Sequence, residues 1–209
     1  MEFSTHIQNL SAHPIPHQVL VSLFKDYKRP NDKIHSLIRE QKLIPLKKAL
    51  YVWNSDALPE KFSIANVLYA PSYVSAESAL SFYGLIPERV YSTVSITVKT
   101  PRKFTNDLGD FDYIKLPSPY YSFGIKRVEL RENQFALMAT PEKALMDKVI
   151  TTSGILLRSE KSAKEYLMEN LRIEFEQLKS LDLSEMKIWS ESAPKKESIN
   201  YIIKAIENL

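Results

Sequence analysis

The stretch that decides the architecture of the N-terminal part covers residues 30–53 and reads PNDKIHSLIREQKLIPLKKALYVW. In its first half, Ile34 and Leu37 belong to an apolar stripe with helical spacing, which predicts a helix over residues 31–41. Asn31 is a suitable N-cap for that helix. In its second half, apolar residues flank a pair of lysines, which predicts two short strands and a basic turn between them.

The face of this helix opposite the apolar stripe carries hydrogen-bond donors. A helix that enters a DNA groove needs such donors to reach phosphates and base edges. The candidate DNA-binding residues are Arg29, Lys33, His35, Ser36 and Arg39, together with Lys47 and Lys48 on the hairpin. Asp32 and Glu40 lie among them, so an ordinary solvated helix face is the alternative interpretation.

The residues before this stretch predict another helix over 16–27, which ends at a break over residues 28–31. Strands are expected over 43–46 and 49–53. Helix, short break, helix and basic hairpin is the order of a winged helix-turn-helix domain, which we assign to residues 1–55. Residues 2–14 have room for a further short helix.

The distribution of charge supports a division at this point. The chain of 209 residues has a formal net charge of +3, and residues 1–55 alone hold eight Lys or Arg against four Asp or Glu. Residues 56–156 are neutral, and residues 157–209 have a net charge of −1. This asymmetry indicates an anion-facing module attached to a neutral body.

The body, residues 56–209, is predicted to be α+β, with a small antiparallel sheet and flanking helices in 56–156 and helices alone in 157–209. The expected strands are 93–98, 111–116, 126–130 and 134–138, with a turn at 104–110. Helices are expected to start at the N-caps Ser75 and Thr140, and Pro141 and Glu142 favour the second start.

Several classes of function have no support in the composition. There is no cysteine, and the four glycines lie too far apart for a glycine-rich phosphate loop. Pro14 and Pro16 interrupt the only close histidine pair, and the carboxylates near residue 110 suit a turn. We therefore predict no catalytic residue, no metal site and no cofactor. With no export signal and no apolar run that could cross a membrane, the expected location is the cytoplasm.

Four segments together resemble the AbiEi-type antitoxins of abortive-infection toxin–antitoxin systems. These segments are IPLKKALYV at 44–52, IANVLYAPSYVSAESAL at 64–80, SFYGLIPERV at 81–90 and ATPEKALMDK at 139–148. The family usually has glycine where this chain has Ala49 and Ala70. Since alanine tolerates positive φ poorly, we expect a differently shaped turn in the wing.

The resemblance implies a winged helix that binds operator DNA and represses its own operon, and a body that acts as the antitoxin. The implied partner is a co-encoded nucleotidyltransferase-like toxin, and direct contact with it is left open. The resemblance places an antitoxin surface at Tyr73, Ser75, Glu77, Glu142, Lys143 and Asp147. Structural roles also fit these residues, because Lys143 and Asp147 have the spacing of a helical ion pair. Tyr73, together with Tyr69 and Tyr83, suits core packing.

Two other functions remain open at this point. One is a stand-alone winged-helix transcriptional regulator whose C-terminal domain senses a ligand or dimerises. The other is an enzyme that acts on a nucleotide or on the toxin, which would require a polar pocket with perturbed carboxylates. The sequence does not determine the oligomeric state.

Overall fold

The computed structural model describes residues 12–209, so most of the segment with room for a further helix, residues 2–14, lies outside the described residues. The fold is α+β and contains two sheets. The N-terminal elements are β1 (Ile15–Pro16), α1 (His17–Leu23), α2 (Pro30–Arg39), β2 (Leu43–Lys47) and β3 (Leu50–Trp53). The three strands form an antiparallel sheet in the order β1-β3-β2.

The second predicted helix and both hairpin strands are confirmed to within two residues. The first helix is shorter than predicted, because α1 ends at Leu23 and the buried Phe24 lies in the turn that follows. The prediction of Asn31 as the N-cap is wrong. Arg29 occupies that position and Pro30 is the first helical residue, where its fixed φ and missing N–H suit the start of a helix.

The remaining elements form a larger sheet with helices around it. The strands are β4 (Ser72–Val74), β5 (Ser92–Thr97), β6 (Arg102–Asn106), β7 (Gly109–Lys115), β8 (Ile125–Arg131) and β9 (Gln134–Ala139). The helices are α3 (Lys61–Leu68), α4 (Ala76–Phe82), α5 (Pro141–Thr151), α6 (Glu160–Glu165), α7 (Phe175–Lys179), α8 (Leu183–Ser190) and α9 (Lys196–Glu207). A 3-10 turn at Tyr120–Ser122 and a π-helical turn at Tyr166–Asn170 complete them.

The larger sheet is mixed, in the order β6-β7-β5-β4-β9-β8, which corrects the predicted small antiparallel sheet. Strand β5 runs parallel to β7, and β4 runs parallel to β9. The reason is that residues 104–106, predicted to be part of a turn, belong to strand β6. Strands β6 and β7 form an antiparallel hairpin with a turn of only Asp107 and Leu108. Strand β5 pairs with the other side of β7, and the two strands run parallel.

Both predicted helix starts in the body occur at the expected residues, but only one uses its side chain as a cap. Thr140 Oγ1 accepts a hydrogen bond from the backbone N–H of Lys143, as an N-cap does. Ser75 lies at the N-cap position of α4 without such a bond, because its hydroxyl donates to Asp147 instead.

Buried side chains form two clusters, and the β2–β3 hairpin contributes to both. The smaller cluster joins α1 and α2 to the hairpin through Ile15, Leu20, Phe24, Ile34, Leu37 and Leu43. The hairpin residues Leu46, Leu50 and Val52 belong to the large core of the body. The boundary expected at residue 55 is therefore crossed by continuous apolar packing.

Candidate nucleic-acid interface and buried polar cluster

One face of α2 is exposed because the apolar residues of the opposite face pack against α1 and the hairpin. Ile34 and Leu37 are 1% and 2% exposed, which fixes the rotation of the helix on the hairpin. Arg29, His35 and Arg39 are then exposed, whereas Lys33 and Ser36 are half-buried. The five candidate residues of this segment thus lie on its surface.

The carboxylates on this face are engaged by its own polar groups. Glu40 accepts hydrogen bonds from Ser36 Oγ and Lys42 Nζ, both at 2.7 Å. The bond from Lys42, followed by that from Ser36, lowers the pKa of Glu40 to about 2. Asp32 lies 3.7 Å from the guanidinium of Arg29. Within residues 12–209, Arg39 has no ion pair or side-chain hydrogen bond, so its donors are available to a ligand.

The hairpin presents its two lysines differently. Lys48 is exposed in the two-residue turn, beside Ala49, which adopts φ of +63°. The alanine therefore accepts the left-handed conformation usual for glycine. Lys47 is tethered instead of free, because its Nζ donates to the carbonyl of Leu68 at 2.6 Å. Partial burial is the first cause that lowers the Lys47 pKa, and the neighbouring charges of Arg102 and Lys99 add to it.

Sequence reasoning missed the two body residues that adjoin Lys47. Lys99 Nζ donates to the carbonyl of Ala70 and lies 5.3 Å from the ring centroid of Tyr69. The Arg102 guanidinium lies 5.9 Å from the same centroid. The basic run over residues 99–103, KTPRK, was the available signal, but it lies some 50 residues from the hairpin, and only the fold brings the two together.

A second polar constellation lies inside the body, around the carboxylate of Asp147. Tyr73 OH and Ser75 Oγ donate to its Oδ2 at 3.0 and 2.7 Å. Tyr120 OH and Lys143 Nζ donate to its Oδ1 at 2.9 and 2.6 Å. All five residues are 0% exposed. Each carboxylate oxygen thus has two donors, which is what a buried charge requires.

The electrostatics of this cluster favour a structural role. Burial lowers the pKa of Lys143, and the adjacent Asp147 opposes that shift. Burial, followed by the charge of Asp147, raises the pKa values of Tyr73 and Tyr120. The Lys143 ammonium also lies 3.4 Å from the ring centroid of Tyr120. Each polar side chain of the cluster is buried and hydrogen-bonded to Asp147, so the cluster anchors the core.

This arrangement corrects the antitoxin surface expected from the resemblance. Tyr73, Ser75, Lys143 and Asp147 cannot contact a partner, because all four are fully buried. Strand β4 lies between β5 and β9, and α5 packs against α4. The alternative interpretation of a helical Lys143–Asp147 ion pair is confirmed.

The other two residues of that expected surface are half-buried and have partners of their own. Glu77 pairs with Lys148 at 3.4 Å. Glu142 Oε1 accepts from the backbone N–H of Asp182 at 3.1 Å. Both interactions tie α5 to its neighbours.

The carboxylates near residue 110 serve the sheet. Asp110 accepts from Thr105, whereas Asp112 accepts from Ser92 and pairs with Lys103. Within residues 12–209 no group of three or more histidine, aspartate or glutamate side chains is placed to hold a metal ion. The same part of the chain has no helix of the length and apolarity needed to span a bilayer.

Two open grooves flank the segment around Tyr91, whose side chain is 84% exposed. One, of about 390 Å³, is lined by Lys61, Phe62 and Phe82 among others. The other, of about 430 Å³, is lined by Glu77 and Lys148 among others. Arg89, Val90, Tyr91 and Ser92 line both grooves.

Comparison with known proteins extends the description of the fold. Neither a protein-family model nor a curated protein sequence matches the chain. Among solved structures, the RV2827C protein from Mycobacterium tuberculosis is similar, with a TM-score of 0.63 and 11% sequence identity. The similarity covers 99% of this chain and 78% of that one. At this identity the comparison concerns the fold alone.

Proposed function

We propose that the chain is a DNA-binding antitoxin that represses its own operon and counteracts a co-encoded nucleotidyltransferase-like toxin. In this proposal residues 1–55 form a winged helix-turn-helix domain in which α2 is the recognition helix and the β2–β3 hairpin is the wing. Residues 56–209 form the antitoxin body. The four segments quoted above support the family assignment.

The observation that carries the DNA-binding half is the outward face of α2. Arg39 is exposed and, within residues 12–209, has no acidic partner, while Asp32 and Glu40 are matched by neighbouring cations. A free arginine on a helix that enters the major groove can donate two parallel hydrogen bonds to guanine. Lys48, in the exposed turn, is placed to contact phosphate, which carries no sequence information.

Gel shifts with operator and scrambled duplexes at several salt concentrations test this half. Arg39→Ala should reduce the preference for operator by about 1–3 kcal/mol. Lys48→Ala should weaken binding to both duplexes alike and flatten the log–log salt dependence by about one unit. If both variants bind both duplexes as the parent does, α2 and its hairpin are not the recognition surface.

The antitoxin half is tested by co-expression with the adjacent nucleotidyltransferase-like gene. The full chain should restore growth, and Arg39→Ala should also restore growth while it fails to repress a reporter under the operon promoter. This variant is a suitable control because Arg39 lies on an exposed helix face outside both buried clusters. Loss of rescue in a folded Arg39→Ala protein would contradict the separation of the two activities.

The grooves beside Tyr91 favour one second candidate, a stand-alone winged-helix regulator whose body senses a small ligand. Their volumes are within the range of small-molecule sites, although they are open. A regulator of this kind would bind operator without rescuing cells from any neighbouring gene product. Tyr91→Ala should then abolish its response to the inducer while it leaves DNA affinity unchanged.

A further inference from the structure

Four cations surround the junction between the hairpin and the body. They are Lys47 and Lys48 on the hairpin, and Lys99 and Arg102 on the body. All four residues are exposed. None of them forms an ion pair within residues 12–209, whereas the next basic residue, Lys103, is paired with Asp112 at 3.2 Å. The junction therefore holds a concentration of positive charge that carboxylates do not balance.

Backbone carbonyls hold two of these cations in place. Lys47 Nζ donates to Leu68, the last residue of α3, and Lys99 Nζ donates to Ala70 two residues later. An ammonium group has three N–H donors, so each lysine retains two for another acceptor. The tethers reduce the conformational freedom that a lysine would lose when it binds an anion.

Arg102 and the hairpin are brought to the same place by the sheet. The side chain of Asn106, at the end of the strand that Arg102 begins, donates to the carbonyl of Leu46 at 3.2 Å. The guanidinium of Arg102 lies 5.0 Å from the ring centroid of Phe104, within the range of a cation–π contact, and has no ion pair within residues 12–209. The mutual repulsion of these charges contributes to the lowered pKa of Lys47.

We propose that Lys47, Lys99 and Arg102 form a second phosphate-binding site, through which the body contacts the DNA backbone beside the wing. This inference rests on the proposed DNA binding and extends the interface beyond residues 1–55. Duplex DNA fits because it supplies closely spaced phosphates, and these neighbouring cations adjoin the hairpin of the proposed DNA-binding domain. The site carries no base-reading geometry, so it should add affinity without specificity.

The test uses the full chain with Lys99→Ala and Arg102→Ala, measured on operator and scrambled duplexes across a salt series. Each variant should bind both duplexes about three- to tenfold more weakly and reduce the log–log salt slope by about 0.9. Arg127→Ala is the matched control, because Arg127 lies on β8, at the opposite edge of the same sheet, where its guanidinium covers the ring of Phe135. Thermal unfolding of each variant separates a binding defect from a folding defect.

The outcomes separate this inference from the function on which it rests. If Arg39→Ala loses operator preference but Lys99→Ala and Arg102→Ala behave like Arg127→Ala, the second site is wrong and the proposed function stands. If either body variant weakens binding to the operator alone, the site reads sequence and the phosphate assignment is wrong. If the parent chain binds neither duplex, both proposals fail.

Discussion

The Asp147 carboxylate lies 2.6 Å from the ammonium of Lys143, one turn earlier on α5, and both side chains are fully buried. Pairs with the same i,i+4 spacing usually lie on helix surfaces, where they contribute little to stability. In this pair, three hydroxyl groups complete the shell of the carboxylate, and an aromatic ring covers the ammonium. Removal of either charge would leave the other buried without an opposite charge.

Lys143→Met should therefore lower the free energy of unfolding by about 3–5 kcal/mol. The double variant Lys143→Met/Asp147→Leu should lose less than the sum of the two single variants, since no buried charge then remains. Urea denaturation measures all three. Glu160→Gln, which breaks the partly exposed i,i+4 pair of Glu160 with Lys164, should cost less than about 1 kcal/mol. Equal losses for the fully buried and the partly exposed pair would contradict the structural role.

Gly124, which lies beside this cluster, is a second position where substitution should destabilise the protein. A Cβ atom there would lie 2.7 Å from Lys143 Cβ and 2.7 Å from the indole ring of Trp189, at φ of +59°. Gly124→Ala should thus suffer both backbone strain and a clash with the cluster. Gly154→Ala is the control, because Gly154 has φ of +76° and no atom within 4 Å of the added Cβ.

Gly154→Ala should cost roughly 0.5–1 kcal/mol, because the left-handed backbone costs alanine about 1–2 kcal/mol and the smaller freedom of alanine in the unfolded chain offsets about 0.4–1 kcal/mol of this. Gly124→Ala should cost at least about 2 kcal/mol more, because a packed interior accommodates an extra carbon poorly. Denaturation midpoints of the two variants give the difference directly. Similar losses would show that the neighbours of Gly124 move aside freely.

Stability should fall at alkaline pH because tyrosines are buried. Burial raises the pKa of Tyr113, whose hydroxyl donates to the carbonyl of Ala65 at 2.6 Å. In the unfolded chain this tyrosine ionises near pH 10, so above that pH the unfolded state binds fewer protons than the folded state. The free energy of unfolding must then decrease as pH rises through the interval between the unfolded and folded pKa values.

In Tyr113→Phe, the fall in the free energy of unfolding above pH 10 should be less steep by about 1.4 kcal/mol per pH unit. This is the contribution of one proton. Urea denaturation at pH 9, 10 and 11 provides the slopes. Tyr91→Phe, at a residue that is 84% exposed, is the control for the loss of a tyrosine hydroxyl at the surface. An unchanged slope in Tyr113→Phe would mean that this hydroxyl is not protected from ionisation.

Ala49→Gly should stabilise the protein. Ala49 adopts φ of +63°, a conformation that is unfavourable for alanine by about 1–2 kcal/mol and open to glycine. The greater freedom of glycine in the unfolded chain offsets about 0.4–1 kcal/mol of this, so a net gain of roughly 0.5–1 kcal/mol is expected. Thermal denaturation measures it, and a lower midpoint would show that the turn has no strain to release.

Much of the local structure could be predicted from spacing and turn chemistry. The apolar stripe with Ile34 and Leu37 defines α2, and Thr140 with Pro141 defines the start of α5, because these signals act over a few residues. The basic residues of the α2 face could be found in the same way, since the burial of one helical face determines which residues lie opposite.

The strand order and the environment of the polar residues depended on the tertiary structure. Residues 104–106 have turn-like composition around them, yet they pair with β7 and thereby force β5 and β7 to run parallel. Likewise, Lys143 and Asp147 show the spacing of a surface pair, and only the strands and the 3-10 turn packed against α5 bury them.

Periodicity, caps and charge in the chain thus specified the helices, the hairpin and a basic N-terminal quarter, because each rests on interactions between near neighbours. Only the tertiary structure determines that Asp147 is buried and hydrogen-bonded in the core, and that Lys99 and Arg102 lie near Lys47. Those relationships join residues that are 50 or more positions apart, or depend on elements from elsewhere in the chain. Contacts of that range are set by how sheets and helices share one core, which a linear pattern does not encode.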